Sequence, residues 1–523
     1  MVHAAFSCSS ALLLKQSLFD ILIIVAKPNF SLDGLHNKIT MQTDRGRLMT
    51  GEQAVKQAAA YFDSGEFQQT LARRIAIRSE SQRDDRDAEL QRYLAEEIGP
   101  AMQALGFDLT HIANPQVPLR PFLLATKIED ASLPTLLCYG HGDVVFGDDE
   151  NWREGLSPWE LTEEGDRWYG RGSADNKGQH SVNIAALEQI FAARGGRLGF
   201  NCKFLFEMGE EISSPGLAQI CRDHQQLLSA DIFIASDGPR LSAERPTLFL
   251  GSRGAVNVRL SIQARDRDYH SGNWGGLLSN PGTQLANAIA CLVNQQGQLQ
   301  VSALKPPAIS DDVRAILSDI EVVSSAGGPQ IDESWGEAGL TPTERLYGWN
   351  TLEVLSFLTG NPARPMNAIP GSATAVCQLR FVVGTDWENI AQHLRAHLEK
   401  HGMPQVEVEV LRGSPATRLD PRDPLVDWAL AAMQQTSGKK TALLPNLGGS
   451  LPNDVFAHIL GLPTLWVPHS YPACGQHAVD EHMLKSIARE GLQMMTRLLW
   501  DLGEQGEQLL ASHHDYQQQG ASR

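Results

Sequence analysis

The sequence has no CxxC pair, no long unbroken apolar run and no excess of positive charge. Each absence removes a class of protein. The seven cysteines (Cys8, Cys138, Cys202, Cys221, Cys291, Cys377 and Cys474) are odd in number and widely spaced. A disulfide framework or a thiolate zinc site needs paired or closely spaced cysteines, so these read as reduced thiols of a cytoplasmic protein. Cys138 and Cys202 lie in apolar, strand-like runs and are expected to be inert core residues. The net charge is −17, and no basic stripe is present to neutralise phosphates, so a nucleic-acid partner is not expected. Near the start, Lys15, Gln16 and Asp20 interrupt the apolar stretch 12–26, and the clean run 21–26 is too short to span a bilayer. No Lys or Arg precedes that stretch and no small-residue cleavage site follows it, so neither a secretory signal nor a membrane anchor is expected. Residues 1–48 are read as a poorly ordered extension, with Met41 and Met49 as alternative starts. No internal repeat or long low-complexity segment occurs.

What remains is ordinary globular composition, 42% hydrophobic and 20% charged, over 523 residues, enough for two or three domains with sizeable cores. Residues 135–178 are the most informative. An apolar run, Leu136-Leu137-Cys138-Tyr139, reads as a buried strand and ends in Gly140, His141 and Asp143. Residues two apart on an extended segment share a face, so His141 and Asp143 point the same way. An imidazole beside a carboxylate is either a metal ligand oriented by an acid or an inconsequential surface pair. The glycine-punctuated segment Tyr169-Gly170-Arg171-Gly172 leading to Asp175 favours the metal reading. An amphipathic helix is expected next, with Val182, Ala186 and Ile190 spaced by four.

Along the chain, helices are expected at 50–78 and 87–105 and a short strand at 122–127. A strand at 202–206 ends in Glu210-Glu211, and one at 231–236 ends at Asp237. Three apolar strands therefore end in acids or histidine, with helices between them. That is the pattern of an α/β fold with a mostly parallel sheet, in which ligands bind at the carboxyl ends of the strands. From Gly251 the pattern changes. Val256, Val258, Leu260 and Ile262 alternate with polar residues, marking a strand covered on one face. A helix, two strands (351–357 and 373–383), a helix and a strand (406–411) follow. This β-α-β-β-α-β order suggests a smaller α+β domain, interrupted by an insertion at 305–348. Buried helix returns at 424–434 and a core strand at 463–467. A long helix at 483–502 precedes a Gln-rich tail whose His513-His514 pair reads as solvated. The expected divisions are 49–248 and 413–505 for the larger domain, 249–412 for the smaller, and 506–523 for a flexible tail.

Nine pieces in this order resemble the M20 family of metallopeptidases: HGD at 141–143, GRGSADNKG at 170–178, GEE at 209–211, SDGP at 236–239, HSG at 270–272, NAIP at 367–370, LR at 379–380, GGSLP at 448–452 and HAVDE at 477–481. The resemblance spans roughly residues 50–502 and is nearest the dipeptidase branch. It implies a catalytic domain with an inserted lid and dimerisation domain. It also implies a site with two divalent ions, zinc with manganese or cobalt as alternatives. His141, Asp175 and Asp237 would hold one ion, and Asp175, Glu211 and His477 the other, with a cis peptide after Asp175. Asp143 would orient His141, and Glu210 would be the general base for an ion-activated water. Set against this, Glu210-Glu211 alone would be a solvated acidic turn. His270, from the smaller domain, would polarise the scissile carbonyl. Arg380 and Asn367 would hold a substrate carboxylate, although Arg380 could equally be an exposed sheet residue. Ser450 would either bond the substrate or cap a helix. His477 is chosen over His469 because Glu481 follows four residues later. The implied activity is hydrolysis of small peptides with a free carboxylate by a cytoplasmic homodimer paired through the lid. An N-acyl-amino-acid deacylase or desuccinylase is the alternative, and an inactive metal-binding homologue the third reading.

Overall fold

A computed structural model describes residues 49–322 and 330–521. The expectation for residues 1–48 lies outside the described residues. In chain order the first strands are β1 (Asp108–Ile112), β2 (Phe122–Lys127) and β3 (Thr135–His141), then a ribbon of β4 (Thr162–Glu164) and β5 (Arg167–Tyr169). β6 (Asn201–Glu207), β7 (Ile232–Ala235) and β8 (Thr247–Phe249) follow. A second group comprises β9 (Gly254–Gln263), β10 (Tyr269–His270), β11 (Thr351–Thr359), β12 (Ala368–Ile369), β13 (Ser372–Phe381) and β14 (Glu407–Ser414). β15 (Ala442–Leu444), β16 (Thr464–Trp466) and β17 (His482–Leu484) close the series.

The larger sheet has eight strands in the order β1-β2-β6-β3-β7-β16-β8-β15. β3 runs parallel to both β6 and β7, and β16 runs parallel to β7. Every residue of β6 and β7 is buried, which is why these strands read as continuous apolar runs. Leu137, Tyr139, Leu205 and Phe233 share a core with Leu217, Phe456 and Trp466, and Phe233 stacks on Phe456 at 4.2 Å between ring centroids. The helix Lys177–Ala193 packs against β3 and against the helices Gly51–Asp63, Glu66–Ile75 and Lys485–Ala521. It is buried on nearly every side. The expected polar face is therefore absent, because this helix lies between the sheet and an outer helical layer.

The smaller sheet is antiparallel in the order β11-β13-β9-β14. Val256, Val258 and Leu260 of β9 and Cys377, Leu379 and Phe381 of β13 face the helices Pro281–Leu292 and Ile390–Lys400, which supply Leu285, Ala288, Leu394 and Leu398. The alternate residues form an open, polar face. Among the described residues, the insertion at 305–348 contains two short helices, Asp311–Leu317 capped by Ser310, and Pro342–Tyr347 opened by a Thr341–Glu344 capping box. Its Val313, Leu317, Ile320 and Tyr347 join the core of the larger sheet rather than the smaller one.

Two local expectations change, and one strand, β1, was not anticipated. The helix expected at 50–78 is two helices, broken at Gly65, whose φ of 85° is left-handed. β1 pairs with β2 although its residues are mostly exposed and show no alternation. The last helix runs from Lys485 to Ala521, well past the expected end. Leu502, Leu510 and His513 are buried along it, a stripe at helical spacing that continues through the Gln-rich segment. His513 Nδ1 lies 2.7 Å from Asp423 Oδ2, and the other oxygen of Asp423 accepts from the Leu425 backbone N–H at 3.0 Å. The expectation of a solvated His513 in a flexible tail is thus corrected. No helix of the described residues is long and apolar enough to cross a membrane.

This packing sets a stability prediction. His513→Ala leaves the buried Asp423 without its imidazole partner and should lower the unfolding free energy by about 1–3 kcal/mol. His514→Ala, at an exposed position, should change it by less than about 0.5 kcal/mol. Equal denaturation midpoints for the two variants would show that the tail helix contributes nothing.

Candidate active site

Because β6, β3, β7 and β16 are adjacent and parallel, their carboxyl ends lie at one rim of the larger sheet. β3 delivers His141, and Gly140 before it is needed for clearance. A Cβ there would sit 2.7 Å from the Cβ of His180 on the helix beneath. β6 leads into a short turn holding Glu210 and Glu211, and β7 leads to Asp237. The loop after β5 brings Asp175, and the loop after β16 brings His477.

Asp175 lies at the centre. One carboxylate oxygen is 3.1 Å from His141 Nε2 and the other 3.0 Å from His477 Nε2. Asp237 Oδ2 lies 3.6 Å from His141 Nε2, and Glu211 Oε2 lies 3.1 Å from His477 Nε2. Two triads result, His141–Asp175–Asp237 and Asp175–Glu211–His477, each with its ligand atoms within 4.8 Å of one another. The peptide between Asp175 and Asn176 is cis. His477 holds a left-handed φ of 60°, an uncommon conformation outside glycine.

The surroundings fix these groups from behind. His141 Nδ1 donates to the backbone oxygen of Asp143 at 3.0 Å, leaving Nε2 free for ligation. The Asp143 carboxylate is 3.5 Å from that ring, and it accepts the backbone N–H groups of Glu210 and Glu211, each at 3.1 Å. Asp143 thus touches the imidazole and also anchors the two-glutamate turn. Glu481, buried, accepts from Arg171 Nη1 at 2.8 Å and from the backbone N–H groups of Gly172, Ala174 and Asp175 at 2.9–3.1 Å. Gln476 donates its side-chain amide to Asp175. Asn176 donates to the Ser236 oxygen and is held by His180, itself bonded to the Tyr93 hydroxyl. His469 is buried against the Ser236 hydroxyl, away from the triads.

Electrostatically, the rim holds more carboxylate than it can neutralise. Burial works against charge on His141, but hydrogen bonds with Asp143, Asp175 and Asp237 outweigh it and hold the imidazole pKa well above 6.5. Hydrogen bonds with Asp175 and Glu211 lift His477 to about 10. Asp175 resists its own burial through those two histidines and stays far below the usual carboxylate range. Burial, reinforced by the Asp175 charge, pushes Glu211 up to about 7. Burial likewise raises Glu210 well above 4.5; His141 opposes this, while Asp237, Glu211 and Asp175 add to it. Glu211 Oε1 is buried without a hydrogen-bond partner. A buried cluster of mutually repelling carboxylates, with an unsatisfied oxygen and two imidazole nitrogens turned inward, matches the oxygen-and-nitrogen donor set of divalent zinc, manganese or cobalt.

A cavity of about 330 Å³ covers the cluster, lined by Asp175, Glu210, Asp237, Ser450 and His477 among others. A second, of about 430 Å³, shares Glu210, Ser450 and Leu451 with it and extends under the open face of the smaller sheet. A further cavity, of about 820 Å³, meets the triads only at His477. Arg380 lies in the second cavity, with Nε donating to Gln378 and Nη1 to Ser450, both at 2.8 Å. Ser450 in turn donates to the Arg253 backbone oxygen at 3.1 Å, so its hydroxyl bridges two arginines and does not cap a helix. Arg253 itself, buried, donates to the backbone oxygens of Trp349 and Arg380. His270 and Asn367 line neither of these two cavities. Both belong to the β10–β12 ribbon region, where His270 is exposed and accepts from the Gly272 N–H. The fold therefore gathers His141, Asp143, Asp175, Glu210, Glu211, Asp237 and His477, sets Arg380 and Ser450 beside them, and leaves His270 and Asn367 on that ribbon. Sequence reading used Glu481 only as a spacing marker and passed over Gln476, Arg253 and Arg412.

A model of peptidase family M20/M25/M40 matches residues 137–501. A cysteinylglycine-S-conjugate dipeptidase of Corynebacterium striatum is 25% identical over 390 residues, covering 73% of this chain and 83% of its own. A beta-Ala-His dipeptidase of Mus musculus is 25% identical over 480 residues, covering 86% and 95%. Among solved structures, the dipeptidase Dug1p of Saccharomyces cerevisiae superposes with a TM-score of 0.69 at 21% identity, over 86% of this chain and 98% of that one.

Glu481 provides the test of this scaffold. Replacing it with Gln removes the counter-charge of Arg171, which is 1% exposed, and should destabilise the protein by roughly 3–5 kcal/mol. Denaturant unfolding of ion-depleted protein measures this without reference to activity. An unchanged midpoint would mean that Glu481 does not hold the Asp175 loop.

Proposed function

Because the chain belongs to peptidase family M20/M25/M40, we propose that it is a two-metal hydrolase that cleaves dipeptides with a free C-terminal carboxylate. The observation that carries this reading is the single Asp175 carboxylate set between two triads, 3.1 Å from one imidazole and 3.0 Å from the other. His141, Asp175 and Asp237 would hold one ion, and Asp175, Glu211 and His477 the second, with zinc the ion best suited to this mixed donor set. Bound ions would supply Lewis acidity, polarising the scissile carbonyl and making a water acidic near neutral pH.

The chain's own residues do the rest. Glu210 accepts the proton of the attacking water on a carboxylate oxygen and returns it to the departing nitrogen as the C–N bond breaks. Asp143 keeps Glu210 and Glu211 facing different ways by gripping both backbone N–H groups. Arg380 has no carboxylate among its hydrogen-bond partners, which suits it to receive the substrate's, with Ser450 holding the guanidinium in plane. His270 and Asn367 reach the substrate only when their ribbon approaches the rim, so a closing motion of the smaller domain, 249–412, is part of the reading. Pairing of two copies through that domain is supported by the exposed apolar edge strand β11, with Leu355, Phe357 and Leu358 outward. The free thiols of Cys138, Cys202, Cys221, Cys377 and Cys474 suit a cytoplasmic location.

The test combines metal analysis with turnover. Purified protein should hold two divalent ions per chain, and chelation should abolish hydrolysis until zinc is restored. Glu210→Gln should retain both ions while kcat falls by about 10²–10⁴-fold. Dipeptides should be turned over faster than the matching N-acetyl and N-succinyl amino acids; the reverse preference would replace the dipeptidase reading with the deacylase one. Wild-type turnover by the Gln variant would overturn the assignment of the base.

A further inference from the structure

The second cavity holds a cation that the proposed chemistry leaves unused. Arg412 lies on β14, where the register with β9 slips: Val410 pairs with Val258, but Arg412 pairs with Asn257. Leu411 is the extra residue of a β-bulge. Without it, Arg412 would fall opposite Val256 and point into the buried face of the sheet. The bulge turns it to the open face instead. Directly paired antiparallel residues share a face, so Arg412, Asn257 and Gln378 form one row across β14, β9 and β13. Ser414, Ala255 and Arg380 form the next. All six line the 430 Å³ cavity.

Two arginines therefore face one cleft, and neither forms an ion pair with a carboxylate. The side-chain partners of Arg380 are Gln378 and Ser450; that of Arg412 is the Ser213 hydroxyl at 3.1 Å. Burial lowers the Arg380 pKa, and the charge of Arg412 in the same cavity adds to it. The acids in the wall do not relieve this. Glu210 is assigned to the chemistry, and Asp454, largely buried, has a raised pKa and no ion pair with either guanidinium. Like charges that face one cleft without a counter-ion are costly unless an anion joins them. One carboxylate satisfies one guanidinium fork. Two forks, on the strands that flank β9 and in adjacent rows of one open face, line the cavity that ends at Glu210 and suit a ligand with two carboxylates separated by a short carbon chain.

We propose that Arg412 makes the enzyme selective for dipeptides whose C-terminal residue is aspartate or glutamate, with the α-carboxylate on Arg380 and the side-chain carboxylate on Arg412. This rests on the dipeptidase reading above and names its substrate class. The scissile bond then lies toward Glu210, and the amides of Asn257 and Gln378 lie between the two anionic groups.

The experiment pairs product binding with turnover, using zinc-loaded protein. L-glutamate should bind about 10- to 100-fold more tightly than L-glutamine by calorimetric titration, the range expected of one charge-assisted contact. Arg412→Gln should bring the two affinities together. In turnover, the ratio of kcat/KM for Ala-Glu to that for Ala-Gln should fall from the same range toward one in Arg412→Gln. Arg380→Gln should depress both substrates in parallel. Arg412 is exposed, so the variant should fold, and circular dichroism checks this. Equal binding of glutamate and glutamine by the wild type would overturn the proposal. So would a parallel loss of both ligands in Arg412→Gln, which would mean that both arginines share one carboxylate. Arg412-dependent glutamate selectivity without hydrolysis of any dipeptide would sustain the site and reject the dipeptidase reading.

Discussion

A carboxylate that faces two imidazoles at once must be held so that neither oxygen can turn toward one partner alone. Asp175 is in this position, and the side chain cannot enforce it unaided, because a carboxylate on one rotatable stem would swing. The constraint is applied to the backbone. Glu481 accepts three successive-loop N–H groups, the last belonging to Asp175 itself, and is balanced by the buried Arg171. A buried acid so supplied with donors is satisfied in a way that surface acids are not, and its loss leaves several groups unpaired together. Glu481 also lies four residues beyond His477, so one short segment supplies a member of the second triad and the clamp for Asp175.

The same economy separates the adjacent glutamates. Glu210 and Glu211 are chemically identical and consecutive, yet one sits in the second triad and the other at the junction of two cavities. A tight turn after β6 sends their side chains apart, and Asp143 fixes that turn through both backbone N–H groups. Asp143 thus ties the end of β3 to the end of β6 while its backbone oxygen sets the tautomer of His141. Aligning the rim is a matter of neighbouring strand ends and of hydrogen bonds between them, and the parallel register of β3 with β6, which places His141 opposite Glu207, makes both possible.

Legibility in the sequence followed from how strongly each feature is forced. Buried parallel strands must be nearly all apolar, so β3, β6 and β7 stand out, and a polar residue at the end of each is conspicuous against that background. His141, Glu210-Glu211 and Asp237 were readable for this reason, whereas their grouping with Asp175 and His477 into two triads came only from the family resemblance. Features that depend on what packs against them were not. The helix Lys177–Ala193 has an apolar stripe in sequence, but its polar face is buried too, by helices far away in the chain. The terminal helix hides its stripe because Gly506 and His513 occupy positions where apolar residues would advertise it. β1 is an edge strand with one buried residue and so has no alternation to detect. Arg412 was invisible for a different reason: its orientation depends on a one-residue register slip, and counting by twos from Val408 assigns it to the wrong face. Glu481 was noticed for its spacing, but a buried acceptor of backbone N–H groups has no sequence signature of its own.

The division of labour between the two sheets has a mechanical consequence. The proposed ions belong to the rim of the larger sheet, while the arginines stand on the open face of the smaller one, and Ser450 is the hydroxyl that touches both sides, bonded to Arg380 and to the backbone of Arg253. A ligand anchored on the arginines can present its amide to Glu210 only if the two sheets hold the right separation. Binding energy gained at the carboxylates, remote from the reacting bond, can then be used to set that separation, and a substrate lacking them would lose rate as well as affinity. The insertion at 305–348 bears directly on this. It leaves the smaller sheet, packs Val313, Leu317 and Tyr347 into the core of the larger one, and returns through Trp349, whose backbone oxygen Arg253 holds. A strap rooted in both bodies limits how far they can part, so the closing motion proposed above would be a small rotation rather than a free swing of one domain on a linker.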